Sequence, residues 1–380
     1  MTNSKPFRLR AFWVQVHLWL GLTLGSVGVL IGLSGSILVY DHEIDAQLNP
    51  QRYAISDPQV ALPYAEYAQR AEAALERRAR ATGIRLPDQA PGPVMVFARA
   101  NADAGPFLRV YLDPPTGRVL DTASGRDWLG WLHSFHESLT LREYKGREMV
   151  GAIGVAMLIS SLSGIYLWWP ASGLRLHAFG FRRSFPLYRN LHYTCGIWGA
   201  LVLATLSFTG IFLAYQDAGR AVVAVFARVS PPPRGVQSAT TGGPAIGPDE
   251  AAAIARQRYG ETTVIGLGLP AGPRGVYRVN LRERGDTTSR SGTVVFIDPG
   301  SRAVLQSADR ASRGGGDTFL LWQRIVHEGG ALGMPGRFAT FLGGLLPAIM
   351  MVSGLIMWLR KRAGRSARET GAPIPAGSTR

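Results

Sequence analysis

The chain has 380 residues, of which 46% are hydrophobic, and a formal net charge of +15. Its one cysteine, Cys195, excludes an internal disulfide or a cysteine-built metal site, and with no C-x-x-C-H it excludes a covalently attached c-type haem. The positive charge is concentrated beside apolar segments, where it is a topology signal, so nucleic acid is not expected as a partner.

Four windows carry no Asp, Glu, Lys or Arg: Leu18–Tyr40, Met149–Trp169, Leu191–Tyr215 and Phe338–Leu359. Each has the roughly 20 residues needed to cross ~30 Å of hydrocarbon. The first is too long for a signal-peptide core and no small-residue cleavage site follows it. The expected fold is an α-helical membrane protein with four transmembrane helices arranged as two parallel repeats, each repeat carrying a small α+β domain outside the membrane.

In chain order, residues 1–40 are a basic arm (Lys5, Arg8, Arg10) and transmembrane helix 1. Residues 41–148 form the first outside domain. There Pro63–Arg80 reads as a helix, Val94–Ala100 and Phe107–Leu112 as strands, Asp113-Pro-Pro-Thr-Gly117 as a turn, and a short strand starts at Arg118. A helix and hairpin of this size bury too little alone and need a neighbour or a second copy. Residues 149–169 are helix 2, 170–190 a loop with Arg175, Arg182, Arg183 and Arg189, and 191–215 helix 3.

Residues 216–337 form the second outside domain, opening with a linker over 230–248. Asp249–Tyr259 reads as a helix, and Val264–Leu269, Gly275–Leu281 and Thr293–Ile297 read as strands. The turn Asp298-Pro299-Gly300 precedes a last strand at Ala303–Leu305. Residues 338–359 are helix 4. The 360–380 tail carries Arg360, Lys361, Arg362, Arg365, Arg368 and Arg380 against one acid, Glu369. The positive-inside rule puts both termini and the 170–190 loop in the cytoplasm.

The two halves repeat. His17 to Gly35 and His192 to Gly210 both span 18 positions, and His17 to Tyr40 and His192 to Tyr215 both span 23. Trp131, His136-Glu137, Gly146-Arg147, Ser163-Gly164 and Trp168 recur as Trp322, His327-Glu328, Gly336-Arg337, Ser353-Gly354 and Trp358. His133 matches Arg324, His42 matches Asp217, and His177 has no counterpart. Both copies run the same way, so the pseudo-twofold axis lies along the membrane normal.

Histidines recurring at two depths are candidate ligands. His17 and His192 fall at one end of the spans, His136 and His327 at the other, each couple formed across the pseudo-twofold. Helix bundles supply the facing imidazoles that axial haem ligation needs, and two such haems would carry electrons across the membrane. Gly35 lies about 27 Å along a helix from His17. Gly35 and Gly210 thus belong to the second couple and Gly164 and Gly354 to the first, as clearance for a macrocycle or as close helix packing. His133-x-x-His136 is a reserve ligand and the one spacing that suits zinc. The tryptophans read as interfacial belts. Gly266-x-Gly268-x-x-Ala271 opens no helix and is set aside as a dinucleotide loop.

His17-Leu-Trp-Leu-Gly21, Leu132-His-x-x-His136, Leu191-His192 and His327-Glu-Gly-Gly-x-x-Gly-x-x-Gly-Arg337 resemble the PepSY-associated transmembrane-helix proteins, often described as iron-regulated membrane proteins. Within that family the chain is most similar to the FoxB-type ferrisiderophore reductases. The resemblance implies two PepSY-like periplasmic domains, a bacterial inner-membrane location and two b-type haems on His17, His192, His136 and His327. It also implies periplasmic reduction of an iron(III)-siderophore of the hydroxamate type, releasing iron(II). With no nucleotide or flavin site in the sequence, the electron donor is a separate molecule, quinol or a cytoplasmic reductase. The competing expectations are a siderophore permease and a PepSY-type regulatory or peptide-binding module without redox activity.

Overall fold

A computed structural model describes residues 9–87, 91–100, 107–124, 127–169, 179–231, 235–239, 245–284, 292–309 and 312–370. Lys5, Arg8, Arg175, His177, Arg380 and parts of the 230–248 linker lie outside the described residues, as do the side chains of Arg368 and Glu369.

In chain order the first half holds α1 (Leu9–Leu22), α2 (Leu24–Leu38), α3 (Asp41–Leu48), α4 (Tyr64–Ala74), β1 (Ala79–Arg85), β2 (Val94–Ala100), β3 (Phe107–Leu112), β4 (Val119–Ser124), α5 (Trp128–Ser138) and α6 (Gly146–Trp168). The second half holds α7 (Leu187–Asn190), a π-helical turn over Leu191–Cys195, α8 (Gly196–Ala214), α9 (Gln216–Ala224) and α10 (Pro248–Tyr259). It continues with β5 (Thr262–Gly268), β6 (Tyr277–Glu283), β7 (Thr293–Ile297), β8 (Val304–Ala308), α11 (Gly315–His327) and α12 (Gly333–Thr370). These divide into a helical unit (Met1–Tyr40, Leu132–Gly219, Trp322–Arg380) and a sheet unit (Asp41–Trp131, Arg220–Leu321).

Among the described residues of the helical unit, Gly146–Trp168, Leu187–Ala214 and Gly330–Ser366 are long and apolar enough to cross a membrane. The bent pair α1 and α2 makes a fourth if it is one span. The span expected to start the chain is therefore not one straight helix: α1 and α2 meet at 56°. The break falls at Thr23, whose Oγ1 donates to the Trp19 carbonyl at 2.7 Å, a back-bond that bends helices. Close packing depends on small residues. A Cβ on Gly344 would overlap the Gly32 carbonyl and Ser36 Oγ, so α2 and α12 meet backbone to backbone. Gly151 and Gly154 of α6 make room instead for side chains, the Tyr215 ring just past α8 and Ile211 on it.

In the sheet unit one antiparallel sheet of eight strands has the order β4-β3-β2-β1-β5-β6-β7-β8. The two outside domains, the first of them expected to need a neighbour or a second copy, share a sheet, joined where β1 meets β5 with Gly83 opposite Gly268 and Ile84 opposite Leu267. β1 itself is a correction, because the Arg-rich run to Arg80 reads as helix while α4 stops at Ala74. Helices α4 and α10 cover one face. Their Tyr67, Ala71, Ala251 and Ala255 pack on Val96, Val110, Leu267, Val279 and Val295, all at most 2% exposed. Each large apolar side chain so buried contributes about 1.5–3 kcal/mol. The matching turns are held alike. Buried Asp113 accepts hydrogen bonds from Ser56 N and Oγ and Thr116 Oγ1, and buried Asp298 from Ser238 Oγ and Gly300 N.

Candidate functional site: two facing histidine pairs

The four repeated histidines meet in two couples within the helical unit. His17 on α1 faces His192 of the π-helical turn with ring centres 6.3 Å apart. His136 on α5 faces His327 on α11, also at 6.3 Å. A π-turn widens the helix by one residue, a device that recurs at functional sites, and here it carries His192.

Each ring is held from behind by one short motif. His17 Nδ1 lies 3.0 Å from Ser163 Oγ and 3.1 Å from the Ser160 carbonyl. His136 Nδ1 lies 3.1 Å from Ser34 Oγ and 3.0 Å from the Ile31 carbonyl. His192 Nδ1 is 3.0 Å from Ser353 Oγ, and His327 Nδ1 is 2.9 Å from Thr209 Oγ1. Every one of these hydroxyls donates its own proton to a carbonyl three or four residues back in its helix. Each hydroxyl can therefore accept from Nδ1, and at His17 and His136 the Ser160 and Ile31 carbonyls, which can only accept, make Nδ1 the N–H that donates. This fixes the tautomer and leaves Nε2 with its lone pair, the arrangement found for metal-ligating histidines.

The glycine after each hydroxyl makes room for the ring. A Cβ on Gly35 would come within 2.7 Å of His136 Cε1. One on Gly164, Gly210 or Gly354 would come within 3.2 Å of Cε1 of His17, His327 or His192 respectively. The glycines stand at the levels their spacing indicates, and what each clears is the imidazole itself. The Ser/Thr-Gly dipeptides are thus one device, in which the repeat in the sequence suggests a role for the glycine alone. The signal was present, since Ser34, Ser163, Thr209 and Ser353 recur in register.

Two neutral imidazoles whose remaining nitrogens both carry lone pairs cannot hydrogen-bond each other. They can share a metal. With nitrogen–metal bonds of about 2.0–2.1 Å, ring centres stand about 6 Å apart, close to the separation in both couples. The donor set therefore fits an iron porphyrin, which His17 and His192 would hold in one couple and His136 and His327 in the other. Among the described residues no group of three or more His, Cys, Asp or Glu could hold a free ion, so the zinc alternative has no site there. His133 points elsewhere. Its Nε2 lies 3.2 Å from Glu137 Oε1, and Glu137 also pairs with Arg147 at 3.0 Å. That hydrogen bond from His133, with Arg147 and Arg142 nearby, lowers the Glu137 carboxyl to about 2.

Beside the first couple, Trp13, Ile159, Leu162, Ser163 and Tyr166 line an open apolar groove of about 350 Å³, in which Ile159, Leu162 and Tyr166 are exposed. Comparison with known families adds one match: a family model described as the PepSY-associated TM region covers residues 14–361. The chain belongs to this family. No curated protein matches the chain. Membership extends over all four histidines and both halves of the sheet, so the PepSY-associated assignment covers the repeat as a whole.

Proposed function

We propose that this PepSY-associated protein is a di-haem electron-transfer protein of the bacterial inner membrane. It reduces an iron(III)-siderophore in the periplasm and releases iron(II), with electrons from the cytoplasmic side. The observation that carries the reading is the pair of histidine couples, each at 6.3 Å with every Nδ1 committed to a hydroxyl. His17 with His192, and His136 with His327, would each hold a b-type haem, which would supply one-electron chemistry. The chain's own residues orient the rings through Ser34, Ser163, Thr209 and Ser353, give them room through the adjacent glycines, and exclude water with apolar helices. The termini and the basic loop are cytoplasmic in this reading, the sheet unit is periplasmic, and all four helical segments span the membrane.

The substrate accepts one electron as iron(III) becomes iron(II). Hard siderophore oxygens grip iron(III) and hold the softer, less charged iron(II) far less well, so reduction releases the metal. The donor, quinol or a cytoplasmic reductase, acts at the His17–His192 end.

The test is the reduced-minus-oxidised absorption spectrum of the purified protein, followed by reduction of several iron(III) chelates in the presence of an iron(II) trap. Bands of two b-type haems and trapped iron(II) are expected. A spectrum without such bands would favour the permease or the regulatory module.

A further inference from the structure

We propose that the sheet face turned away from α4 and α10 docks a negatively charged, aromatic iron(III) chelate of the catecholate kind. The proposal rests on the reductase reading and names its substrate class. In an antiparallel sheet, paired residues share a face, so the register sorts the side chains. Val96, Val110, Leu267 and Val279 pair into the core, and their neighbours fall on the other side. One row across that other side runs Phe97, Gly83, Gly268, Arg278 and Phe296. The two central glycines leave a low floor between an aromatic ring on one flank and an arginine with a second ring on the other.

Arginine and aromatic side chains are already interleaved on this face. The Arg85 guanidinium lies 5.1 Å from the Phe97 ring centre, and the Arg99 guanidinium 4.2 Å from that of Phe107. Arg85 and Arg278 are exposed, and Phe107 is 51% exposed. Asp121, an acid on the same face, is engaged by Arg52 at 2.7 Å. The surface therefore offers positive charge and flat π faces together. Three catecholates on iron(III) carry a net charge of −3 and present aromatic rings, which guanidinium groups both neutralise and stack upon. Hydroxamate groups around iron(III) give a neutral core without rings and match neither feature, so this face departs from the hydroxamate class that the family resemblance implies.

The test uses the full chain in detergent and redox-inert gallium(III) complexes, so binding is read apart from reduction. Gallium(III) tris-catecholate is expected to bind, more weakly as salt rises, and about tenfold more weakly to the Arg85→Gln/Arg278→Gln variant. Neutral gallium(III) tris-acetohydroxamate is expected to bind far less to either protein. A Phe97→Leu/Phe296→Leu variant, with thermal unfolding as the folding control, is expected to lose affinity while keeping the salt dependence. Equal affinity for the two complexes, or unchanged catecholate affinity in the folded arginine variant, overturns the proposal. Gallium(III) accepts no electron, so binding by a protein lacking haem bands would defeat the reductase reading while leaving this one standing.

Discussion

At the scale of single residues, the site is a problem of space and proton placement. Gly35 is the tightest of the four clearances, at 2.7 Å against 3.2 Å for Gly164. Gly35→Ala should displace His136 and cost about 1–3 kcal/mol of overpacking. Its purified form is expected to lose the haem of the His136–His327 couple, whereas Gly164→Ala retains both, as counted by pyridine haemochrome. In the sheet unit, burial alone would raise the Asp113 carboxyl, but hydrogen bonds from Thr116 and Ser56 hold it below the ordinary carboxylate range. A depressed carboxyl stabilises the fold above its unfolded value near 4 and loses that contribution as pH falls through its folded value. Asp113→Asn should therefore lower the thermal midpoint at pH 7 by removing about 1–3 kcal/mol, and the gap to wild type should narrow below pH 4. The histidines were legible because they repeat in register. The hydroxyls behind them were seen as part of a repeat without a role, because a hydrogen bond between helices leaves no mark on periodicity.

At the scale of elements, apolar runs gave the spans but not their shape. Nothing in the hydropathy of Leu18–Tyr40 marks a 56° bend, since a threonine back-bond is as apolar in composition as a straight helix. Strand β1 escaped for a related reason. Ala79–Arg85 reads ARATGIR, with little apolar alternation, and follows directly on a helix former's composition. The strands with clean alternation, Val94–Ala100, Phe107–Leu112 and Thr293–Ile297, were found to the residue. The contact of α2 with α12 yields the prediction for this scale. Gly344→Val places branched bulk against the Gly32 carbonyl and Ser36 Oγ and should push the helices apart. Reduced yield of monodisperse protein in detergent and a lower unfolding temperature are expected. Gly21→Ala, which meets nothing within 4 Å, should leave both unchanged.

At the scale of the whole molecule, the duplication places one histidine of each couple in each repeat, His17 and His136 in the first, His192 and His327 in the second. His136→Ala with His327→Ala should therefore remove one haem and leave the other. Titration of the remaining haem should give a single redox transition, and loss of both would mean that the couples are not independent. Outright unfolding would separate from either result by gel filtration. The internal symmetry was readable from offsets, and the need for a neighbour or second copy from the small size of one domain, but the seam itself was not, because β1 and β5 lie far apart in sequence and pair through Gly83–Arg85 and Gly266–Gly268.

That seam has an evolutionary consequence. Antiparallel pairing is what two identical strands adopt around a dyad, and it is self-complementary. A half-length ancestor would need no new surface to assemble as a homodimer with the same continuous sheet and the same facing imidazoles. Joining two such halves in one chain would release the copies from identity, and His133 against Arg324 is a matched position at which they differ.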